Sequence, residues 1–252
     1  MSISYSGSTE EVLACVEEAK KRNAKITSFS SGGKLGKILK EKYPGFTFNP
    51  KNNPSGQPRL GTGYILMGTL ILLNQLGVIS ISKEEFQKAI VEVRNSQDDI
   101  KAKSQELAKN LQSFIPLLFA AQHLVGNAHI MRNQLNETSK SISLFEDIPE
   151  LNHHLMEGLK YPKDKKLKIL FLESNLYSPI HSKRIKLTQD VVSKNQIEFI
   201  SFQPQGSTKL SQVLNTLSFG GYLTLYLGLL YGQDPSLIPW VDYFKEQLAK
   251  PS

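Results

Sequence analysis

Residues 4–11 read Ser-Tyr-Ser-Gly-Ser-Thr-Glu-Glu, and this octet predicts the local architecture of the amino end. It continues a short extended run, Ile3-Ser4-Tyr5, and it precedes residues 10–22, whose apolar side chains recur at helical spacing (Val12, Leu13, Val16 and Ala19). Thr9 is a candidate N-cap because acidic residues follow it in the first turn. The octet therefore predicts a strand, a hydroxyl-rich turn around Gly7, and a helix.

This turn is a candidate anion site. Free backbone N–H groups and the helix dipole favour negative charge at a helix N-terminus, and Ser and Thr hydroxyls add donors. The sequence contains neither G-x-G-x-x-G nor G-x-x-x-x-G-K, so a monophosphate is expected rather than a dinucleotide or nucleoside triphosphate. The alternative is a hydroxyl-stabilised turn with an N-cap that binds nothing, and the octet alone supports both interpretations equally.

The rest of the chain alternates between strand-like and helix-like patterns, which favours a parallel α/β sheet. Strands are predicted at residues 25–29, 116–121, 168–172 and 199–202, and helices at 35–42, 64–76, 83–112, 211–230 and 240–248. We expect an α/β fold with two doubly wound parallel-sheet domains. Residues 1–62 form part of the first, residues 63–112 connect the two, and residues 113–252 form the second.

Composition narrows the class of protein. The 252 residues are 40% hydrophobic and carry a net charge of +7, with a single cysteine, Cys15. The lysines are scattered without interleaved aromatic residues, which favours solvated helix faces over a nucleic-acid surface. One cysteine allows no internal disulfide. The longest apolar stretches, residues 114–125 and 222–231, are shorter than the roughly 20 residues of a membrane helix. A soluble cytoplasmic protein is expected.

The octet resembles the phosphosugar-binding fingerprint of sugar isomerase (SIS) domains. Three further segments resemble the bifunctional phosphoglucose/phosphomannose isomerases, namely Pro58-Arg59, Asn136-Glu137-Thr138-Ser139-Lys140 and Pro149-Glu150-Leu151-Asn152-His153-His154. The resemblance extends to Asp242-Tyr243-Phe244-Lys245 near the carboxyl end. It implies two SIS domains, a homodimer, a phosphorylated hexose substrate and no cofactor or metal. It also implies a strand, glycine-serine loop and helix ahead of the fingerprint, so we expect the first domain to be incomplete and activity to be impaired.

The resemblance assigns roles to individual residues. Ser4, Ser6 and Thr9 match positions that hold the substrate phosphate. Glu137 matches the carboxylate that moves a proton between C2 and C1 of the sugar, and Arg59 matches an arginine that stabilises the enediolate.

Two further roles concern the sugar ring. His153 matches the histidine that assists ring opening, although the adjacent His154 leaves this register open. Lys245 matches a C-terminal lysine that reaches the sugar oxygens.

Elementary chemistry suits this set of residues. Aldose–ketose isomerisation needs a base, a positive group near the developing enediolate, and an acid–base partner for the ring oxygen. A glutamate serves as the base if desolvation raises its pKa, an arginine stays cationic, and a histidine exchanges protons near neutral pH. The sequence offers no convincing metal cluster.

Taken singly, these residues have ordinary interpretations. Glu137, Lys245 and a loop histidine are normally solvated, and Arg59 could simply bond loop carbonyls. We expect His123, His129 and His181 to be structural and Trp240 to be a packing anchor. Three other functions remain open: a non-catalytic SIS module that senses a sugar phosphate, a basic nucleic-acid-binding protein, and an amidating or epimerising SIS enzyme. A sensor would need the serine turn but no base.

Overall fold

The computed structural model describes residues 1–250, apart from the side chains of residues 41 and 42. Contacts divide the chain into two compact units, Met1–Ser82 and Lys83–Ser252. Both units are α/β with parallel sheets, which confirms the predicted fold class at that level. The division into residues 1–62, 63–112 and 113–252 stays a prediction about domain organisation.

The first unit is built on a three-stranded parallel sheet in the order β1-β2-β3. Its strands are β1 (Ser2–Ile3), β2 (Ser28–Ser30) and β3 (Gly45–Thr47), and its helices are α1 (Glu10–Lys21), α2 (Gly33–Lys42) and α3 (Thr62–Gln75), with a 3₁₀ turn at Pro58–Leu60. The apolar face predicted for α1 is confirmed, since its Val16 is fully buried with Ile26 and Leu35. The burial of that face fixes α1 beside the sheet.

The second unit is built on a four-stranded parallel sheet in the order β5-β4-β6-β7. Its strands are β4 (Ile115–Ala121), β5 (Leu144–Ile148), β6 (Leu167–Leu172) and β7 (Glu198–Phe202). Its helices are α4 (Lys83–Asn95), α5 (Gln97–Leu111), α6 (Val125–Glu137), α7 (Leu155–Gly158), α8 (Pro179–Lys194), α9 (Lys209–Leu230) and α10 (Pro239–Leu248), with 3₁₀ turns at Gln122–Leu124 and Glu150–His153.

The core of the second unit lies between its sheet and α9. Phe202 of β7 stacks on Phe219 of α9 with ring centroids 3.6 Å apart, and Phe119 meets Phe171 edge to face across β4 and β6. By length and composition α9 could cross a membrane, but half of its apolar stretch is buried inside the protein, where it packs on α4, α5 and α6. This is the pattern of a core helix.

Some predicted elements differ from the structure. The single helix expected at residues 83–112 is two helices, because Ser96 interrupts the helix between them. The Ser96 hydroxyl donates to Val93 O at 3.0 Å and accepts from the Asn215 side-chain amide at 2.9 Å, so a distant contact supports the break. The prediction for Trp240 is wrong, since this side chain is 82% exposed. Among the described residues, α10 buries none of its side chains.

Polar side chains of the protein itself fill the carboxyl edge of the second sheet. Gln212 is fully buried; its Oε1 accepts from Ser174 Oγ at 2.5 Å and lies 3.1 Å from His123 Nε2. Its side-chain amide donates to Asn175 Oδ1 at 2.6 Å and to Gly206 O at 3.2 Å. These bonds support the interpretation of His123 as a structural residue.

His123 predicts a pH dependence of stability. Burial lowers the pKa of His123 from its ordinary value of 6.5, an effect only partly offset by the bond to Gln212, and the Lys209 charge lowers it further. Since the unfolded chain binds this proton more readily, the stabilisation is complete above about pH 6.5 and is lost as the pH falls towards the folded pKa. Urea unfolding at pH 7.5 and 5.5 should show a smaller loss of stability in His123→Gln than in the wild type. An equal loss in both proteins would contradict this assignment.

Candidate functional site

The hydroxyl-rich octet forms the loop between β1 and α1, at the carboxyl end of a parallel strand. Ser4 is 4% exposed; its Oγ accepts from the Gly7 amide at 3.0 Å and shares a hydrogen bond of 2.7 Å with Thr9 Oγ1. Ser6 and Thr9 are exposed. The structure thus brings the three predicted phosphate-binding residues together in one loop, with Ser4 as its internal brace.

The geometry of this loop bears on the two interpretations of the octet. The Ser8 amide donates to Ser6 Oγ at 3.2 Å, which is the local bond of a serine-stabilised turn. Thr9 occupies the N-cap position of α1, but its side chain makes no capping hydrogen bond. The amides of the first helical turn are therefore not satisfied by Thr9, and they are the groups that bind anions at helix N-termini.

A second loop holds the first one in place. Gly7 has a φ of +72°, and a Cβ there would overlap the carbonyl oxygen of Gly32. The Leu35 amide donates to Gly7 O at 2.9 Å, and Ser31 donates to Tyr5 O through its amide at 2.8 Å and its hydroxyl at 2.7 Å. Because the backbones of the two loops are in direct contact, only glycine fits at position 7.

Arg59 lies in the same unit as the octet. It is part of the 3₁₀ turn, it is 7% exposed, and its Nη1 donates to Gln57 Oε1 at 3.0 Å. The preceding loop also contacts the octet, since the Asn53 side-chain amide donates to Tyr5 Oη at 2.7 Å and to Gln57 O at 2.8 Å. A buried guanidinium held by a neighbouring side chain is a fixed positive charge.

Glu137 is the last residue of α6 and lines a cavity of about 970 Å³ in the second unit. The cavity is walled by the end of α6 with the residues that follow it, and by the segment between α9 and α10. Its lining comprises Phe114, Asn136, Glu137, Ser139, Lys140, Ser141, Ile142, Tyr231, Gln233, Asp234, Leu237, Ile238, Pro239, Trp240 and Val241. A half-buried carboxylate in a largely apolar cavity is a suitable general base.

Residues next to Glu137 fix the end of α6. The Ser139 hydroxyl donates to Thr224 O of α9 at 2.7 Å, and the Asn136 amide donates to Ser143 O at 3.1 Å. At Gly228 of α9 an added Cβ would lie 2.9 Å from Thr138 O, so the two backbones are in close contact. These contacts explain why a segment following a helix end has a defined conformation here.

His153 and Lys245 are placed differently from Glu137. His153 ends the 3₁₀ turn at Glu150–His153 and is exposed, as is His154, and Lys245 is exposed on α10. None of these three residues lines the cavity. The helix that carries Lys245 does contribute to the lining, through Trp240 and Val241 in its first turn. Of the residues predicted for the second unit, the structure therefore brings only Glu137 into the cavity.

Comparisons with known proteins identify the family of the chain. The family model of the bacterial phospho-glucose isomerase C-terminal SIS domain matches residues 100–248, more than half of the chain. A bifunctional phosphoglucose/phosphomannose isomerase of Aquifex aeolicus is 30% identical over an alignment of 252 positions that covers 98% of this chain and 75% of that protein. The chain belongs to this isomerase family. Its relative in Caldicellulosiruptor bescii, of the same name, is 29% identical with the same two shares.

A solved structure agrees on the fold of this family member. The tagatose-6-phosphate ketose/aldose isomerase of Escherichia coli superposes with a TM-score of 0.72 over 95% of this chain and 71% of that one. Since only 14% of the residues are identical, this likeness shows the SIS fold alone.

The sequence of this isomerase carries no motif that indicates the second wall of the cavity. The Asn136–Lys140 motif gives Lys140 no role, and residues 231–239 lie between two predicted helices without a motif. The available signal was the run Gly232-Gln233-Asp234-Pro235, which breaks the helical pattern.

The electrostatics of the lining are defined at Asp234. Hydrogen bonds from the Ser236 hydroxyl and amide, together with the nearby Lys140 charge, hold the pKa of Asp234 below its usual value. Among the described residues, no group of three or more His, Cys, Asp or Glu could hold a metal ion.

The contact at Gly228 yields a test of how α9 supports the Glu137 segment. Gly228→Ala should destabilise the protein by about 1–3 kcal/mol, because its Cβ meets a backbone carbonyl that has little room to move. Gly221→Ala in the same helix is the matched control: its Cβ meets nothing within 4 Å, and helix propensity predicts a gain of about 0.5–1 kcal/mol. Urea unfolding measures both, and equal effects would contradict the close contact.

Proposed function

We propose that this chain is an aldose–ketose isomerase that interconverts glucose 6-phosphate, mannose 6-phosphate or both with fructose 6-phosphate through a cis-enediol or enediolate. The observation that carries this proposal is that a member of the phosphoglucose/phosphomannose isomerase family has its Asn-Glu motif carboxylate, Glu137, in a cavity. The named reaction of the relatives and the available base therefore point to the same chemistry.

In the proposed mechanism, Glu137 acts on the open-chain sugar. Its carboxylate removes the proton from C2 of the aldose, the electron pair moves onto the carbonyl oxygen, and an enediolate forms. The same carboxyl group returns the proton to C1, and the hydroxyl proton on O2 passes to the O1 alkoxide as the C2 ketone forms. The sequence is reversible and consumes no co-reactant. Arg59 is proposed to stabilise the negative charge of the enediolate, which is worth most in a water-poor site.

The remaining roles are proposed from the family match, residue by residue. Ser6 and Thr9 would hold the phosphate, and Ser4 would both bind phosphate and brace the loop. His153 would transfer the proton for ring opening, and Lys245 would bind sugar oxygens. The exposure of Ser6, Thr9, His153 and Lys245 supports these assignments, since each side chain is accessible to a ligand.

A homodimer is proposed on the same basis. On α10 the side chains of Trp240, Phe244 and Leu248 are 82%, 63% and 72% exposed, and Leu237 just before the helix is 60% exposed. Apolar side chains on one exposed helix are typical of a protein–protein interface. The dimer would remove this surface from water. We also propose that the enzyme is cytoplasmic, in line with its exposed thiol at Cys15.

The assignment of Glu137 is tested by Glu137→Gln. Formation of fructose 6-phosphate from each aldose phosphate should fall by about 10²–10⁴-fold in kcat, because the amide cannot accept the C2 proton. Glu106→Gln, an exposed glutamate of α5, is the matched control and should retain the wild-type rate. Full activity in Glu137→Gln would overturn the assignment. Tight binding of glucose 6-phosphate by a wild-type protein without turnover would favour the alternative, a non-catalytic SIS module.

The phosphate-binding role is tested by Ser6→Ala. Loss of a hydrogen bond to a charged phosphate should raise KM for the hexose phosphate by about tenfold or more, at roughly 1.5–3 kcal/mol per bond. Ser8→Ala is the control, because Ser8 is exposed in the same loop but matches no phosphate-binding position. Equal KM values for the two variants would place the phosphate elsewhere.

A further inference from the structure

Lys140 makes three contacts that no assigned role explains. Its ammonium nitrogen lies 2.8 Å from Glu137 O, 2.9 Å from Asp234 O and 3.4 Å from Thr138 O. An ammonium group has three N–H donors and no acceptor, so it can bond to several carbonyl oxygens at once. The group that interacts with the backbone of Glu137 is therefore a positive charge held by main-chain atoms.

The position of this charge suits the end of α6. The last carbonyls of a helix lack partners within the helix and carry the negative end of its dipole, so a cation is favoured there. Lys140 itself has a φ of +55°, in the left-handed region that a non-glycine residue seldom occupies. This conformation turns the chain back so that the side chain reaches the carbonyl three residues earlier.

The same ammonium joins the two walls of the cavity. Glu137 O belongs to the helix end on one wall, and Asp234 O belongs to the segment between α9 and α10 on the other. The Asp234 carboxylate is turned into its own loop by bonds from Ser236, at 2.6 Å from the hydroxyl and 2.8 Å from the amide. Lys140 donates to the carbonyl oxygen of Asp234, while the Asp234 carboxylate accepts from Ser236.

We propose that Lys140 is a positioning residue that holds the backbone of Glu137 and ties the 231–238 segment to it, so that the carboxylate stays at one place in the cavity. This inference rests on the proposed function of Glu137 as the base. A base must lie within hydrogen-bond reach of the proton it removes, and small displacements reduce the rate strongly. Lys140 acts through Glu137 and not on the sugar.

The test compares Lys140→Met, which keeps the apolar stem but removes all three bonds, with Lys140→Arg, which keeps the charge and several donors. In Lys140→Met, kcat should fall by about 10–100-fold while KM changes by less than about threefold. Lys140→Arg should recover much of the lost kcat. Lys165→Met is the matched control, because Lys165 also donates to a carbonyl, Pro162 O at 3.0 Å, in an exposed loop. It should keep the wild-type kcat.

Hydrogen exchange provides a measurement that does not depend on activity. Peptides that cover residues 137–141 and 231–238 should exchange faster in Lys140→Met than in the wild type, Lys140→Arg or Lys165→Met. Unchanged exchange, or a raised KM with an unchanged kcat, would overturn the proposal. If the wild type does not isomerise hexose phosphates, the proposed function fails. Hydrogen exchange still tests whether Lys140 holds the two segments together. If Lys140→Met does not fold, Lys140→Gln, which retains two donors, replaces it in both measurements.

Discussion

The close contact between α9 and the end of α6 is the constraint on which the candidate site depends. Gly228 leaves room for the carbonyl of Thr138, and the Ser139 hydroxyl bonds to Thr224 O, so the chain after Glu137 follows the surface of a buried helix. Because α9 also forms the core against the sheet, the position of Glu137 is coupled to the packing of the whole second unit. Helix ends usually fray, and this contact holds the end of α6 in place.

The carboxyl edges of the two parallel sheets are used in opposite ways. In the first unit, serine and glycine residues follow β1 and leave exposed hydroxyls and helix amides. In the second, Gln212 and its partners occupy the corresponding edge with bonds among themselves. Ligands of open α/β sheets bind at carboxyl edges, and the first edge offers exposed hydroxyls beside a helix N-terminus. The second unit instead offers the cavity at the far end of α6.

Much of the fold could be predicted from the sequence, because β4 and residues 169–172 of β6 are continuous apolar runs and α1 has a clear amphipathic face. The predictions failed where distant contacts decide the structure. The helical spacing of apolar residues continues through Ser96, but Ser96 bonds to Asn215, which lies 119 residues further along the chain. Strand β5 contains Glu146 and Asp147 and lies at a sheet edge, so its pattern is weak. A motif indicated Glu137, whereas the wall formed by residues 231–241 depends on tertiary packing.

The direct backbone contact between the Gly7 loop and the Gly32-Gly33 loop has an entropic consequence. Ser31 and Leu35 donate hydrogen bonds to Tyr5 O and Gly7 O, and neither loop can move outward without breaking them. Both loops are therefore ordered before any ligand arrives. An anion that binds there loses little affinity to the ordering of the chain, because the conformational freedom has already been given up during folding. A preorganised loop of this kind would discriminate among anions by their shape rather than by adapting to each of them.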